Sequence, residues 1–241
     1  MPWAGWRAVI DTLVIYLGAL LSAAVAGSLI VLVTGSQDGP SVAGLVVLSP
    51  VALLVVAIVW LRSRYGASAR RVIGPSPVRW TDVGVGVGMG VVCFVGGRIL
   101  LVGLVVLLTG LGLDVPPVQD SFREIAQDRA TAPALVLTAV LLAPASEELL
   151  FRGLLFQGVR ARTGFWGAAL ASAGVFTLAH IGDGGGALAD LVIIAGILPL
   201  GLVFAAIMQW RGSLLACAVT HAVYNAGGVA LLILTSGAAP S

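Results

Sequence analysis

Apolar runs of twenty or more residues recur along the chain, separated by short stretches rich in Arg, Gly, Pro and Asp. A run of that length can cross the bilayer core as a helix. The pattern predicts spans at 8–34, 42–61, 82–112, 132–158, 164–181, 187–208 and 213–235. The 82–112 run is long enough to tilt, or to hide a break at Gly96-Gly97. The first run starts like a signal peptide, with Arg7 ahead of apolar residues and Ala24-Val25-Ala26 as a faint cleavage site. It continues through Ser28-Leu29-Ile30-Val31-Leu32-Val33, too far for a signal h-region, so a retained span is expected. The fold class is therefore all-α, a polytopic transmembrane helical bundle of about seven spans. Residues 1–131 form the N-terminal transmembrane helices and 132–241 a core holding the in-span polar groups. No linker divides them, and they make one integral-membrane domain.

Composition agrees. Of 241 residues, 59% are hydrophobic and 10% charged, with a mean hydropathy of +1.07. A soluble domain carries about 25% charged residues. All thirteen basic residues are arginine. No basic tract with interleaved aromatics is present, so nucleic acid is not an expected partner. Arginine also gives sidedness. Arg7, the 62–80 loop (Arg62, Arg64, Arg70, Arg71, Arg79), Arg160, Arg162 and Arg211 fall on one face of a seven-span bundle. The other face carries Gln37-Asp38, Gly182-Asp183-Gly184 and the 113–131 loop, where Arg123 and Arg129 sit among Asp114, Asp120, Glu124 and Asp128. This predicts a cytoplasmic N-terminus and an outside C-terminus in the cell membrane. Cys93 and Cys217 lie in apolar runs and read as buried free thiols. Gly84-Val85-Gly86-Val87-Gly88-Met89-Gly90 lies in a span, outside any βαβ setting, and reads as close helix packing. Arg98, in the same span, either pairs with an acidic neighbour or snorkels.

Ionisable groups at membrane depth are costly and mark functional sites by default. Glu147, Glu148, Arg152, His180, His221 and Asn225 all fall within the later predicted spans. Glu148 and Arg152 stand four apart, on one helix face, and can pair. Glu147 points about 100° away. His221 and Asn225 are also four apart. At ~1.5 Å per residue from the nearer span ends, Glu147 lies ~20 Å deep, His180 ~24 Å, His221 ~12 Å and Asn225 ~18 Å. Three helices thus bring polar side chains to comparable depth. Pro144, one turn before Glu147, removes a helix hydrogen bond and can bend the helix around a wet cavity.

Three motifs then stand in order: Glu147-Glu148-x-x-x-Arg152, Phe176-Thr177-Leu178-Ala179-His180 and His221-Ala222-Val223-Tyr224-Asn225. As EExxxR, FxxxH and HxxxN they resemble the CPBP family of intramembrane proteases (CAAX protease and bacteriocin-processing, or Abi), which includes the type II CAAX prenyl endopeptidases. The resemblance covers about 140–228. It implies hydrolysis of a peptide bond in a membrane-associated substrate, possibly CAAX-type and prenylated, by activated water. In such proteins Glu147 would act as general base with His180, His221 and Asn225 would form an oxyanion hole, and Glu148, Arg152 and Phe176 would support them. The chemistry fits: a base near its working pH and donors aimed at the developing oxyanion are what amide hydrolysis requires.

The family is often labelled as metalloproteases, and a catalytic zinc takes three protein ligands plus water. Glu147, His180 and His221 could supply them. No HExxH is present, and two histidine ligands would leave only Asn225 for the oxyanion. Metal-free catalysis without a cofactor is the expectation, with a divalent metal such as zinc as the alternative. Two other functions stand beside the protease: a non-catalytic binding or immunity protein of the same fold, and a proton-coupled transporter using the Glu/His set as a relay.

Overall fold

The computed structural model describes residues 1–35, 39–73, 77, 79–116, 125, 128, 130–181 and 186–236. The predicted loop groups Gln37, Asp38, Asp120, Arg123, Glu124, Arg129 and Gly182–Gly184 lie outside the described residues. The described chain is helical: α1 (Trp6–Thr34), α2 (Gly39–Tyr65), a 3₁₀ segment (Gly66–Ile73), α3 (Trp80–Gly110), α4 (Ala132–Leu178), α5 (Gly186–Arg211) and α6 (Leu214–Ser236). Lipid offers no hydrogen bonds to the backbone, so apolar segments this long close their own bonds as helices even where Gly and Val abound, as in α3. The break considered at Gly96-Gly97 does not occur; α3 is continuous.

Among the described residues six helices are long and apolar enough to cross a membrane, against the seven spans expected. The difference lies in α4. Its 47 residues would reach ~70 Å, over twice the hydrocarbon thickness. Gly164 breaks it, with φ 75° and ψ −168°, a conformation open essentially to glycine alone. The expected 159–163 turn is thus helical through Thr163, and the change of direction falls on one residue.

One end of the bundle gathers the arginine-bearing segments. Gly5 N–H donates to the Gly158 carbonyl (2.7 Å), and Gln157 Nε2 donates to the Val72 carbonyl (3.1 Å). Arg211, at the end of α5, pairs with Asp82, at the start of α3, at 2.6 Å. Exposed Trp6, Trp80, Trp166 and Trp210 ring the same end, as tryptophans do at a membrane interface. Between helices, glycine sets the spacing. A Cβ at Gly86 would lie 2.6 Å from Val219, and one at Gly90 would lie 2.5 Å from Val223. Gly84 and Gly88 face open space. Half of the predicted glycine run therefore seats α3 against α6, four residues apart on one face. Cys93 and Cys217 are free thiols, Cys217 buried. Leu17, Leu32, Val92, Ile99 and Val106 are exposed on α1 and α3, as lipid-facing side chains are.

Candidate active site

Glu147 and Glu148 occupy a short α-helical stretch (Ala143–Glu148) between two wide turns of α4, Thr138–Leu142 and Leu149–Phe156. In such π-type turns each N–H reaches five residues back. The first has a local cause. Ala143 N–H bonds to Thr138, and the next donor in that register, for the Ala139 carbonyl, would be residue 144. That residue is Pro144, which has no N–H. The orphaned Ala139 carbonyl is taken by Asn225 Nδ2 of α6, at 2.8 Å. The second wide turn is tied down likewise: Ser172 Oγ donates to Phe151 O (2.8 Å) and Gln157 Nε2 to Gly153 O (2.9 Å). A helix left with spare carbonyls is thus locked by side chains, which fixes where the two glutamates point.

They point differently. Glu148 is fully buried and accepts at one oxygen from both Arg152 Nη1 (3.1 Å) and His221 Nδ1 (3.0 Å). Arg152, also fully buried, donates through Nη2 to the Gly201 carbonyl (3.2 Å) and lies over the rings of Phe176 (4.4 Å) and Phe204 (4.9 Å). Phe204 stacks on the His221 ring at 5.0 Å, and Phe176 meets it edge-on at 5.8 Å. His221 is therefore held by a hydrogen bond to a carboxylate at one nitrogen and by aromatic rings at its sides. Its other nitrogen, Nε2, lies 3.8 Å from Glu147 Oε2. Glu147 is partly exposed to a cavity, and its Oε2 has no hydrogen-bond partner in the protein.

His180 ends the second limb of α4. Its Nδ1 is 2.7 Å from the Phe176 carbonyl, so Nδ1 carries the proton and Nε2 the lone pair in the neutral ring. Phe176 packs on His180 at 4.6 Å and bridges it to His221. Among the described residues the histidine within ion-pair distance of Glu147 is His221.

Glu147, His180, His221 and Asn225 all line one cavity of about 590 Å³. The sequence reading missed three of its features. Glu148 reaches His221 as well as Arg152, a long-range contact that spacing on one helix cannot show. Asn225 is bonded to a backbone carbonyl, signalled only by Pro144. Arg98 of α3 and Tyr16 of α1 also line the cavity, so the first three helices form part of its wall. A zinc site would need three converging ligands. Among the described residues no group of three His, Cys, Asp or Glu side chains is disposed to hold a metal ion, so Glu147, His180 and His221 do not fit one as they stand.

Residues 129–227 match the family model described as Rce1-like, type II CAAX prenyl endopeptidase, consistent with the CPBP resemblance of the three motifs. No curated protein and no solved structure matches the chain.

Proposed function

With residues 129–227 bearing the pattern of type II CAAX prenyl endopeptidases, we propose that the chain is an intramembrane endopeptidase that cleaves a membrane-associated, CAAX-type peptide with water as nucleophile. The observation that carries this reading is Glu147, whose Oε2 makes no hydrogen bond within the protein, lining one cavity with Asn225, His180 and His221.

In the proposed reaction Glu147 takes a proton from water while His180 Nε2 accepts a hydrogen bond from the same molecule and orients it. The water oxygen attacks the peptide carbonyl carbon, and the carbonyl electron pair moves to oxygen. His221, in the form that carries both protons, keeps Nδ1 on Glu148 and donates from Nε2 to that oxyanion. Asn225 gives one N–H to Ala139 and has a second for the oxyanion. Collapse breaks the C–N bond as the proton held by Glu147 passes to the leaving nitrogen. Glu148 and Arg152 do not touch the substrate; they hold His221 in place. No step needs a metal.

The grouping of arginines and exposed tryptophans at one end of the bundle supports a cytoplasmic N-terminus in the cell membrane. Purified protein in proteoliposomes, given an S-farnesylated peptide ending in three apolar residues, should release a shortened peptide of defined mass, and Glu147→Ala should release none. A Glu147→Ala protein as active as wild type would remove the proposed base.

A further inference from the structure

Arg98 stands apart from the charge network just described. It lies 18 residues after Trp80 and 12 before Gly110 in α3, so ~18 Å of helix separates it from the nearer end. Several other charges on the lining helices are paired: Glu148 with Arg152 and His221, Asp11 with Arg64, Asp82 with Arg211. Among the described residues no carboxylate pairs with Arg98, and its Nε has no hydrogen-bond partner. The guanidinium rests on the ring of Phe94, one turn earlier, at 5.3 Å. The facing helix makes room for both residues. A Cβ at Gly227 would meet the Phe94 ring at 2.7 Å, and a Cβ at Gly228 would stand 3.4 Å from Arg98 Nη2. The Gly227-Gly228 pair thus opens a slot in α6 that admits Phe94 and Arg98, and Arg98 faces the same cavity as Glu147.

A cation held at membrane depth with no counter-ion among the described residues calls for an anion from outside them. The planar fork of arginine suits a carboxylate or phosphate. Gly228 lies three residues beyond Asn225 on α6, ~4.5 Å along the axis. An extended peptide advances ~3.3 Å per residue, so an anion on Arg98 sits within a few residues of a carbonyl placed at Asn225. We propose that Arg98 binds the C-terminal carboxylate of the peptide substrate, making the cavity selective for bonds close to a free chain end. This rests on the protease reading. A lipid phosphate shares the chemistry, but its headgroup would have to sink about 18 Å along α3 to arrive there.

The test measures binding rather than turnover, so the two readings can fail separately. A fluorescent S-farnesylated peptide ending in three apolar residues is made once as the free acid and once as the C-terminal amide. Its affinity is measured for the full chain in phosphatidylcholine nanodiscs. A charge-assisted hydrogen bond of ordinary strength predicts that wild type binds the acid roughly 10- to 100-fold tighter than the amide. Arg98→Gln should lose that preference by weakening the acid alone, and Arg98→Lys should keep part of it. Both should melt near the wild-type temperature, because the group has no ionic partner to abandon. Should Arg98→Gln fail to fold, the Arg98→Lys loss of acid preference carries the test. Equal wild-type affinities for acid and amide, or an undiminished preference in both variants, overturns the proposal. So does loss of bound phosphatidylglycerol in Arg98→Gln, read by native mass spectrometry after adding that lipid to the nanodiscs, with the acid-to-amide ratio unchanged, which assigns the site to a lipid phosphate. Peptide binding with the predicted ratio but no cleavage would count against the protease reading alone.

Discussion

Arg152→Ala removes the central cation of the buried cluster. Glu148 would keep its bond to His221 but lose its guanidinium, and the Gly201 carbonyl would lose its side-chain donor while keeping its place in the helix. Breaking one side of a buried ion pair costs about 3–5 kcal/mol. The contacts of the guanidinium with Phe176 and Phe204 are lost as well. These terms share one side chain and do not simply add, so about 3–5 kcal/mol is the lower expectation. For a chain of this size that corresponds to a fall of roughly 6–20 °C in melting temperature. The assay is thermal unfolding in detergent micelles by intrinsic tryptophan fluorescence, with cleavage measured on the same samples. A second variant separates structure from chemistry. Arg152→Met with Glu148→Leu removes both charges and leaves no buried ion unpaired, so much of the melting temperature should return. Activity should not, because His221 has then lost its anchor. Wild-type melting in Arg152→Ala would refute the assignment of a structural ion pair, and full activity in the double variant would refute the positioning role given to Glu148.

Three further outcomes follow from the geometry. Asn225→Ala should lower kcat by about 10²–10³, the effect of deleting one oxyanion donor, and should also destabilise by about 1–3 kcal/mol because the Ala139 carbonyl is orphaned; steady-state kinetics and thermal melts read the two separately. Gly164→Ala forces a Cβ into the left-handed region and should cost about 1–3 kcal/mol, seen as a lower melting temperature. Gly90→Ala places a Cβ 2.5 Å from Val223 and 2.9 Å from the Thr220 carbonyl, and should destabilise α3–α6 packing by about 1–3 kcal/mol, whereas Gly88→Ala, facing open space, should not.

Hydropathy was enough to place the helices, because in lipid a long apolar run has almost no alternative to a helix. It could not place the break in α4. Whether 132–178 is one span or two turns on the φ of Gly164, and glycine in a helical pattern does not announce its conformation. The convergence of Glu147, His180, His221 and Asn225 on one cavity was legible from depth counted along three helices, since rise per residue is nearly constant. Partner choice was not. Spacing paired Glu148 with Arg152, but the contact of Glu148 with His221, 73 residues away, depends on how α4 and α6 pack. Pro144 gave notice of a freed carbonyl, but only the packing of α6 shows Asn225 filling the need. Arg98 stood out as an in-span charge, and its lack of a carboxylate partner among the described residues became visible only with every neighbouring helix in place.

The central claim, that Glu147 activates water without a metal, is tested most directly by turnover and peptide affinity of Glu147→Gln beside wild type treated with a strong chelator. The glutamine keeps the shape of the side chain and removes the base. The account predicts that Glu147→Gln binds the peptide with wild-type affinity while turnover collapses, and that chelated wild type stays active. Undiminished turnover in Glu147→Gln, or wild-type activity that vanishes with chelator and returns with stoichiometric zinc, would contradict it.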